Sequence, residues 1–230
     1  MFYFDIRYLL FSLPALVLAL FAQWKVQSAY RKYSRIRNMR NLSGLEAARW
    51  LLRANGLGDV SLQGTRGVLS DHYDPRKKVL RLSRGVAESR SVAALGIVAH
   101  EVGHAVQDQV DYAPLRVRSG LVPVVNLGTW MGMILFFVGI VIQLSGLVWL
   151  GVILFSGSVV FALVTLPVEQ DASHRALQML RADGLVGTTD LQGVQSVLSA
   201  ASLTYVAALA QAVSQLLYFV FLATGMSRRD

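Results

Sequence analysis

The sequence predicts a mainly α-helical integral membrane protein, with about four transmembrane helices and a small α+β domain on the cytosolic side. Three observations predict it. Of 230 residues, 54% are hydrophobic and only 16% charged, where an ordinary soluble domain has about a quarter charged. Four apolar stretches reach the ~20 residues a helix needs to cross a bilayer. The interval between the first two is polar, long enough for a folded domain, and carries both helical and strand-like patterns.

The first stretch covers 4–24 and includes LLFSLPALVLALFAQW. A signal peptide would carry its positive charge ahead of the apolar run and close it with a small-x-small cleavage site. Here Arg7 alone precedes the run, whereas Lys25, Arg31, Lys32, Arg35, Arg37 and Arg40 follow it. Basic residues mark the cytosolic side, so residues from 25 onward are expected inside and the N-terminus outside. The other spans are expected at 121–144, 147–166 and 201–225. Counting them puts the loop near Gly146 outside, residues 167–200 inside and the C-terminal tail outside. Arg228 and Arg229 weigh against that last placement. Pro14 and Pro123 fall in or near spans, where membrane helices tolerate proline. Trp24, Tyr30, Tyr205 and Tyr218 suit the interface, and Gln211 and Gln215 of the last span suit a face turned to other helices.

The interval 40–118 opens with a capping box, Ser43 with Glu46, followed by Leu45, Ala48, Leu51 and Leu52 at helical spacing. Gly56 or Gly58 is the expected stop. Short strand-like runs follow at Val60–Gln63, Gly67–Ser70 and Val79–Ser83, the last two joined by a connector at His72–Lys77 with Asp74-Pro75 as its turn former. Ser91 then caps a helix over SVAALGIVAHEVGHAVQDQV. Its apolar lead-in is too short to span a bilayer, so it reads as the buried core helix of the domain.

There is no cysteine, which leaves His, Asp and Glu for any transition-metal site. The net charge of +8 would suit nucleic acid, but the basic residues cluster beside an apolar segment and read as a membrane signal; no nucleic-acid partner is expected. No phosphate-binding glycine loop or serine nucleophile elbow is present.

Within the core helix stands His100-Glu101-Val102-Gly103-His104. Residues four apart lie one turn from each other on one helix face, so His100 and His104 can both reach one cation at about 2 Å. Glu101 is rotated by about 100° from His100, off the metal but beside a metal-activated water, where it can act as general base and then general acid. Gly103 costs roughly 1 kcal/mol against Ala in a helix interior, which points to another element packed close to it. A catalytic zinc site takes three protein ligands. Glu46, Glu88, Glu101 and Glu169 are the only glutamates. Glu169 follows an apolar span and opens EQDASHRALQML, where a carboxylate is costly unless paired or metal-bound. It is the expected third ligand. A solvated helix-start residue is the plain alternative, and His72 and His174 are the other candidate ligands; either could instead stabilise an oxyanion. Asp171 reads equally as a surface residue or as a partner to a ligand histidine.

Together, HEVGHAVQ, the earlier SDHYDPRKKVLRLS, the later LPVEQDASHRAL and LTYVAALA near the last span resemble the YugP-like bacterial membrane zinc metallopeptidases, over nearly the whole chain. The resemblance implies four spans and a cytosolic-facing zinc site. More distantly the layout is similar to HtpX-type and CAAX prenyl protease-type gluzincins, in which a glutamate on a later helix is the third ligand and an aspartate often stands four residues beyond it. Glu169 matches that ligand. Ser173 stands where the aspartate would be, and His174 where the family string would carry Arg, so the shell behind the ligands must be built differently. The gluzincin likeness also implies that Val79–Ser83 is the sheet edge that pairs with an extended substrate.

The expectation is a zincin-like cytosolic domain carrying the HExxH helix, in a multi-pass protein of the bacterial cell (inner) membrane whose active site faces the cytoplasm. Zn2+ would be bound by His100, His104 and Glu169, with Glu101 as the base of a zinc metalloendopeptidase. Its partners would be the lipid bilayer and peptide or membrane-protein substrates. An intramembrane site-2-type protease and a non-catalytic, zinc-stabilised membrane scaffold are the competing readings. The sequence carries no signal for an oligomeric state.

Overall fold

The computed structural model describes residues 6–227. Phe4, where the first span was expected to begin, and Arg228 and Arg229 of the tail lie outside the described residues. The elements are α1 (Ile6–Tyr33), α2 (Gly44–Ala54), β1 (Ser61–Thr65), β2 (His72–Asp74), β3 (Val79–Ser83), α3 (Arg84–Glu88), α4 (Val92–Gln109), α5 (Ala113–Val141), α6 (Ser145–Ala182) and α7 (Thr188–Ser227). The protein is mainly helical, and α1, α5, α6 and α7 are each long and apolar enough to cross a membrane. α4 is not among these four.

The chain divides into two compact units. One gathers the described residues up to Gln23, then Val117–Leu166, then Leu203 onward. Here α5 and α6 pack at glycines. A Cβ on Gly132 would lie 2.8 Å from the Phe155 nitrogen, and one on Gly151 would lie 2.6 Å from the Phe136 nitrogen. Lipid tails are as apolar as leucine, so close backbone approach and dispersion drive such contacts. Phe136, Val148, Val152, Phe155, Phe219 and Ala223 form the centre, with Phe136 and Phe219 stacked at 4.0 Å.

The second unit comprises Trp24–Arg116 and Pro167–Ser202. The Ser43 side chain accepts from the Glu46 nitrogen at 3.2 Å while Glu46 Oε2 accepts from the Ser43 nitrogen at 2.7 Å, which is the capping box expected. Gly56, at φ +70°, ends that helix in the left-handed conformation glycine adopts freely, and the Leu57 nitrogen donates back to the Leu52 carbonyl. Ser91 caps α4 through the Ala94 nitrogen. Much of α4 is buried: Val92, Leu95, Val98, Ala99 and Val102 are each at most 1% exposed. They pack against Ala48, Leu51 and Leu52 of α2, Leu80 and Leu82 of β3, Ala176 and Leu180 of α6, and Val194 and Leu198 of α7. Each buried Val or Leu among them contributes about 1.5–3 kcal/mol by leaving water, so α4 is the hub of this unit.

The sheet departs from the sequence reading in two ways. Gly67–Ser70 is not a strand: Gly67 and Leu69 have φ of +109° and +52°, and the Ser70 hydroxyl bonds back to the Arg66 carbonyl. The second strand is His72–Asp74, inside the stretch read as a connector. The turn is made by Asp74 Oδ1, which accepts from the Arg76 and Lys77 nitrogens as turn-forming aspartates do. Second, the strand order is β1-β3-β2. β3 pairs in parallel with β1, Leu62 opposite Leu80, and antiparallel with β2, Tyr73 opposite Leu80. Val79–Ser83 is therefore the central strand, with both its edges occupied, and cannot be the free edge inferred from the gluzincin likeness.

Candidate metal centre

Because α4 is a regular helix through His104, His100 and His104 stand one turn apart, their rings 4.8 Å between centroids and nearly perpendicular at 82°. α6 supplies the third group. Glu169 is 2% exposed, and its Oε2 lies 3.2 Å from His100 Nε2 and 3.5 Å from His104 Nε2. The three donor atoms all fall within 4.8 Å of one another. Two ligands at 2.0–2.1 Å from a tetrahedral zinc stand about 3.3 Å apart, so both contacts of Glu169 are close to the edge of such a tetrahedron. The donor set suits the ion as well: two imidazoles and a carboxylate are ligands zinc takes, with one position left over.

Gly103 is what lets α6 come this close. A Cβ there would lie 2.5 Å from the Ala172 carbonyl oxygen, so the cost of the mid-helix glycine is matched by the close packing expected from the sequence. Burial opposes ionisation of Glu169, but its bonds to His100 and His104 outweigh that and hold its carboxyl below the usual range. Burial likewise disfavours a charged His104, yet the Glu169 bond and the Glu101 charge push its pKa above the ordinary histidine value.

Glu101, half-buried, stays out of the three-residue group. Burial pushes its pKa up, against the pull of the two histidines. Its Oε2 accepts from the Tyr73 backbone nitrogen of β2 at 3.0 Å, while the Tyr73 hydroxyl donates to Asp108 Oδ2 at 2.8 Å. A second ring of groups stands behind the histidines. His100 Nδ1 is 3.2 Å from Ser173 Oγ, the position at which gluzincins often carry aspartate. His104 Nδ1 is 2.9 Å from Gln107 Oε1, and the Gln107 amide nitrogen donates to the Val168 carbonyl and to Asp171 Oδ2. Asp171 also accepts from Arg175 at 2.6 Å, and Gln107 links it to His104. His72 and His174 are exposed and outside the group; His72 instead contacts the Ser70 carbonyl and Arg81.

Residues 8–224 match the family model described as "Putative neutral zinc metallopeptidase". The chain belongs to that family. It is also 43% identical, over 94% of its own length and 96% of the relative's, to "Putative membrane protease YugP" of Bacillus subtilis (strain 168). No solved structure matches the chain significantly. Family membership implies Zn2+ as cofactor, and His100, His104 and Glu169 are a group able to hold it. With the four apolar helices, the relative supports placement in a membrane.

Gln107 and Tyr73 carried no role in the sequence reading. Gln107 had a legible signal: it stands three residues beyond His104, hence close to the same helix face. Tyr73 had none, because its contribution to Glu101 is a backbone nitrogen.

Proposed function

We propose that the chain is a zinc-dependent endopeptidase working at the cytosolic membrane surface, with membrane or juxtamembrane protein segments as substrates. On this reading residues 40–118 form the metallopeptidase region and 167–200 supply the third ligand, while 4–24, 121–144, 147–166 and 201–225 cross the bilayer. One observation carries the proposal: Glu101 is kept off the ligand group by the Tyr73 amide, one residue from a histidine whose Nε2 faces Glu169. A purely structural metal site has no use for a carboxylate placed there.

Zinc held by His100, His104 and Glu169 would supply Lewis acidity, polarising the scissile carbonyl and making water acidic near neutral pH. Glu101 takes the proton of the attacking water at its carboxylate as the oxygen bonds to the carbonyl carbon. It then delivers that proton to the amine nitrogen as the C–N bond breaks. Tyr73 orients Glu101 during both transfers. The membrane-surface placement is supported by Glu169 following the apolar run of α6 within a few residues, and the cytosolic side by the basic residues after the first span.

The test is Glu101→Gln in detergent-purified protein, assayed on casein and for bound zinc. The expected result is retained zinc with cleavage down by about 10²–10⁴-fold. Full cleavage by this variant would overturn the mechanism.

A further inference from the structure

Gln107 is completely buried and makes three polar contacts, which between them fix how its amide must point. The nitrogen end lies 2.8 Å from the Val168 carbonyl and 2.8 Å from Asp171 Oδ2. Backbone carbonyls and carboxylates only accept hydrogen bonds, so the NH2 end must face α6 and the amide oxygen must face His104. An amide oxygen also only accepts. His104 Nδ1, 2.9 Å away, must therefore be the nitrogen that carries the proton. In a neutral imidazole this leaves Nε2 bare, and Nε2 is the atom that faces Glu169.

We propose that Gln107 is a positioning residue for the metal. It sets the tautomer and ring direction of His104 so that Nε2 is offered to the ion, and it ties that setting to α6, the helix that brings Glu169. The two histidines differ in this respect. His100 Nδ1 meets the Ser173 hydroxyl, which can donate or accept and so enforces no tautomer, whereas Gln107 enforces one. The inference rests on His100, His104 and Glu169 forming the zinc site.

The experiment uses the full chain in detergent. With only four histidines in the chain, 15N-histidine labelling of zinc-free protein, at a pH alkaline enough to leave His104 neutral, resolves which ring nitrogen bears the proton, and Nδ1 is expected. Zinc affinity is then measured by competition with a chelator. Gln107→Leu, which keeps volume but offers no acceptor, is expected to weaken zinc by about 10–100-fold, as loss of such outer partners does. Gln107→Glu still presents an acceptor to Nδ1 but sets a carboxylate oxygen against the Val168 carbonyl and Asp171 Oδ2 in place of the donor, and is expected to recover part of that loss. Equal weakening in both variants would reduce Gln107 to a helix tie, and a neutral His104 with its proton on Nε2 and none on Nδ1 would overturn the inference outright. Should Gln107→Leu fail to fold, the wild-type tautomer and the Glu variant still decide. A wild type that binds no zinc would instead sink the metal-site reading, and the tautomer measurement stands apart from that result.

Discussion

The backbone nitrogen of Tyr73 donates to Glu101 Oε2 at 3.0 Å, so a three-residue strand holds the carboxylate proposed as the base. The strand is in turn held by its own side chain, since the Tyr73 hydroxyl is bonded to Asp108, two turns further along α4. Tyr73→Phe removes that anchor and leaves the backbone donor in place. The lost bond costs about 1 kcal/mol of stability. The larger effect is expected in kcat, a fall of roughly tenfold, because small misplacements of a catalytic group are expensive. KM and bound zinc should change little. Steady-state kinetics with metal analysis checks this, and loss of zinc in the variant would show that Tyr73 supports the ligands rather than the base.

Gly103→Ala should damage the centre although alanine is the better helix former. The gain in propensity is about 1 kcal/mol, but the new Cβ would sit 2.5 Å from the Ala172 carbonyl oxygen, a backbone atom that cannot swing aside. Overpacking of this kind costs about 1–3 kcal/mol. Its relief moves α6, and with it Glu169, away from the histidines. The expected outcome is a lower unfolding midpoint together with weaker zinc binding. A midpoint at or above that of the wild type would show that the two helices are not in close contact here.

As a proposed zinc ligand, His104 is expected to set the pH response of zinc binding. Its pKa is raised in the zinc-free fold above the ordinary ~6.5, because Glu169 and Glu101 outweigh the burial that opposes its charge. A ligand histidine must be deprotonated to bind metal. Zinc affinity should therefore begin to fall while the pH is still above ~6.5 and keep falling on further acidification. The sign is opposite for the zinc-free protein. A raised folded pKa contributes stability that is fully present below ~6.5 and is lost as pH rises through the folded value. Chelator competition and thermal unfolding across pH 5–9 read the two effects separately. A zinc affinity constant down to pH ~6 would contradict the assignment of His104 as ligand.

What the sequence revealed depended on how far apart in the chain the partners stood. His100, Glu101 and His104 were legible because one helix places all three, and Ser43 with Glu46 because a cap is a local device. Glu169 was legible from an energetic argument, a carboxylate just past an apolar run. Gln107 meets Val168 and Asp171 across separations of 61 and 64 residues, and Ser173 meets His100 across 73. No local pattern encodes such pairings. β2 was hidden because His-Tyr-Asp has neither alternation nor length. The placement of β3 failed for a related reason: strand order is a property of the sheet, and no residue of Val79–Ser83 announces that both its neighbours are strands.

Glu169 remains the residue on which the metal assignment turns. It is the group's only member not on α4, and its carboxylate oxygen is the point at which both imidazoles converge. Glu169→Gln keeps the shape while removing the charge, so the variant should fold. A neutral amide is a far weaker zinc ligand than a carboxylate, and two histidines leave the site short of the three protein ligands a catalytic zinc takes. Bound zinc should fall well below the wild-type stoichiometry after dialysis, and cleavage should fall with it. His72→Ala and His174→Ala, at exposed positions outside the group, should retain the metal. If Glu169→Gln kept full zinc and His72→Ala or His174→Ala lost it, the third ligand would move to that histidine and the convergence on Glu169 would be an ion pair of the metal-free fold.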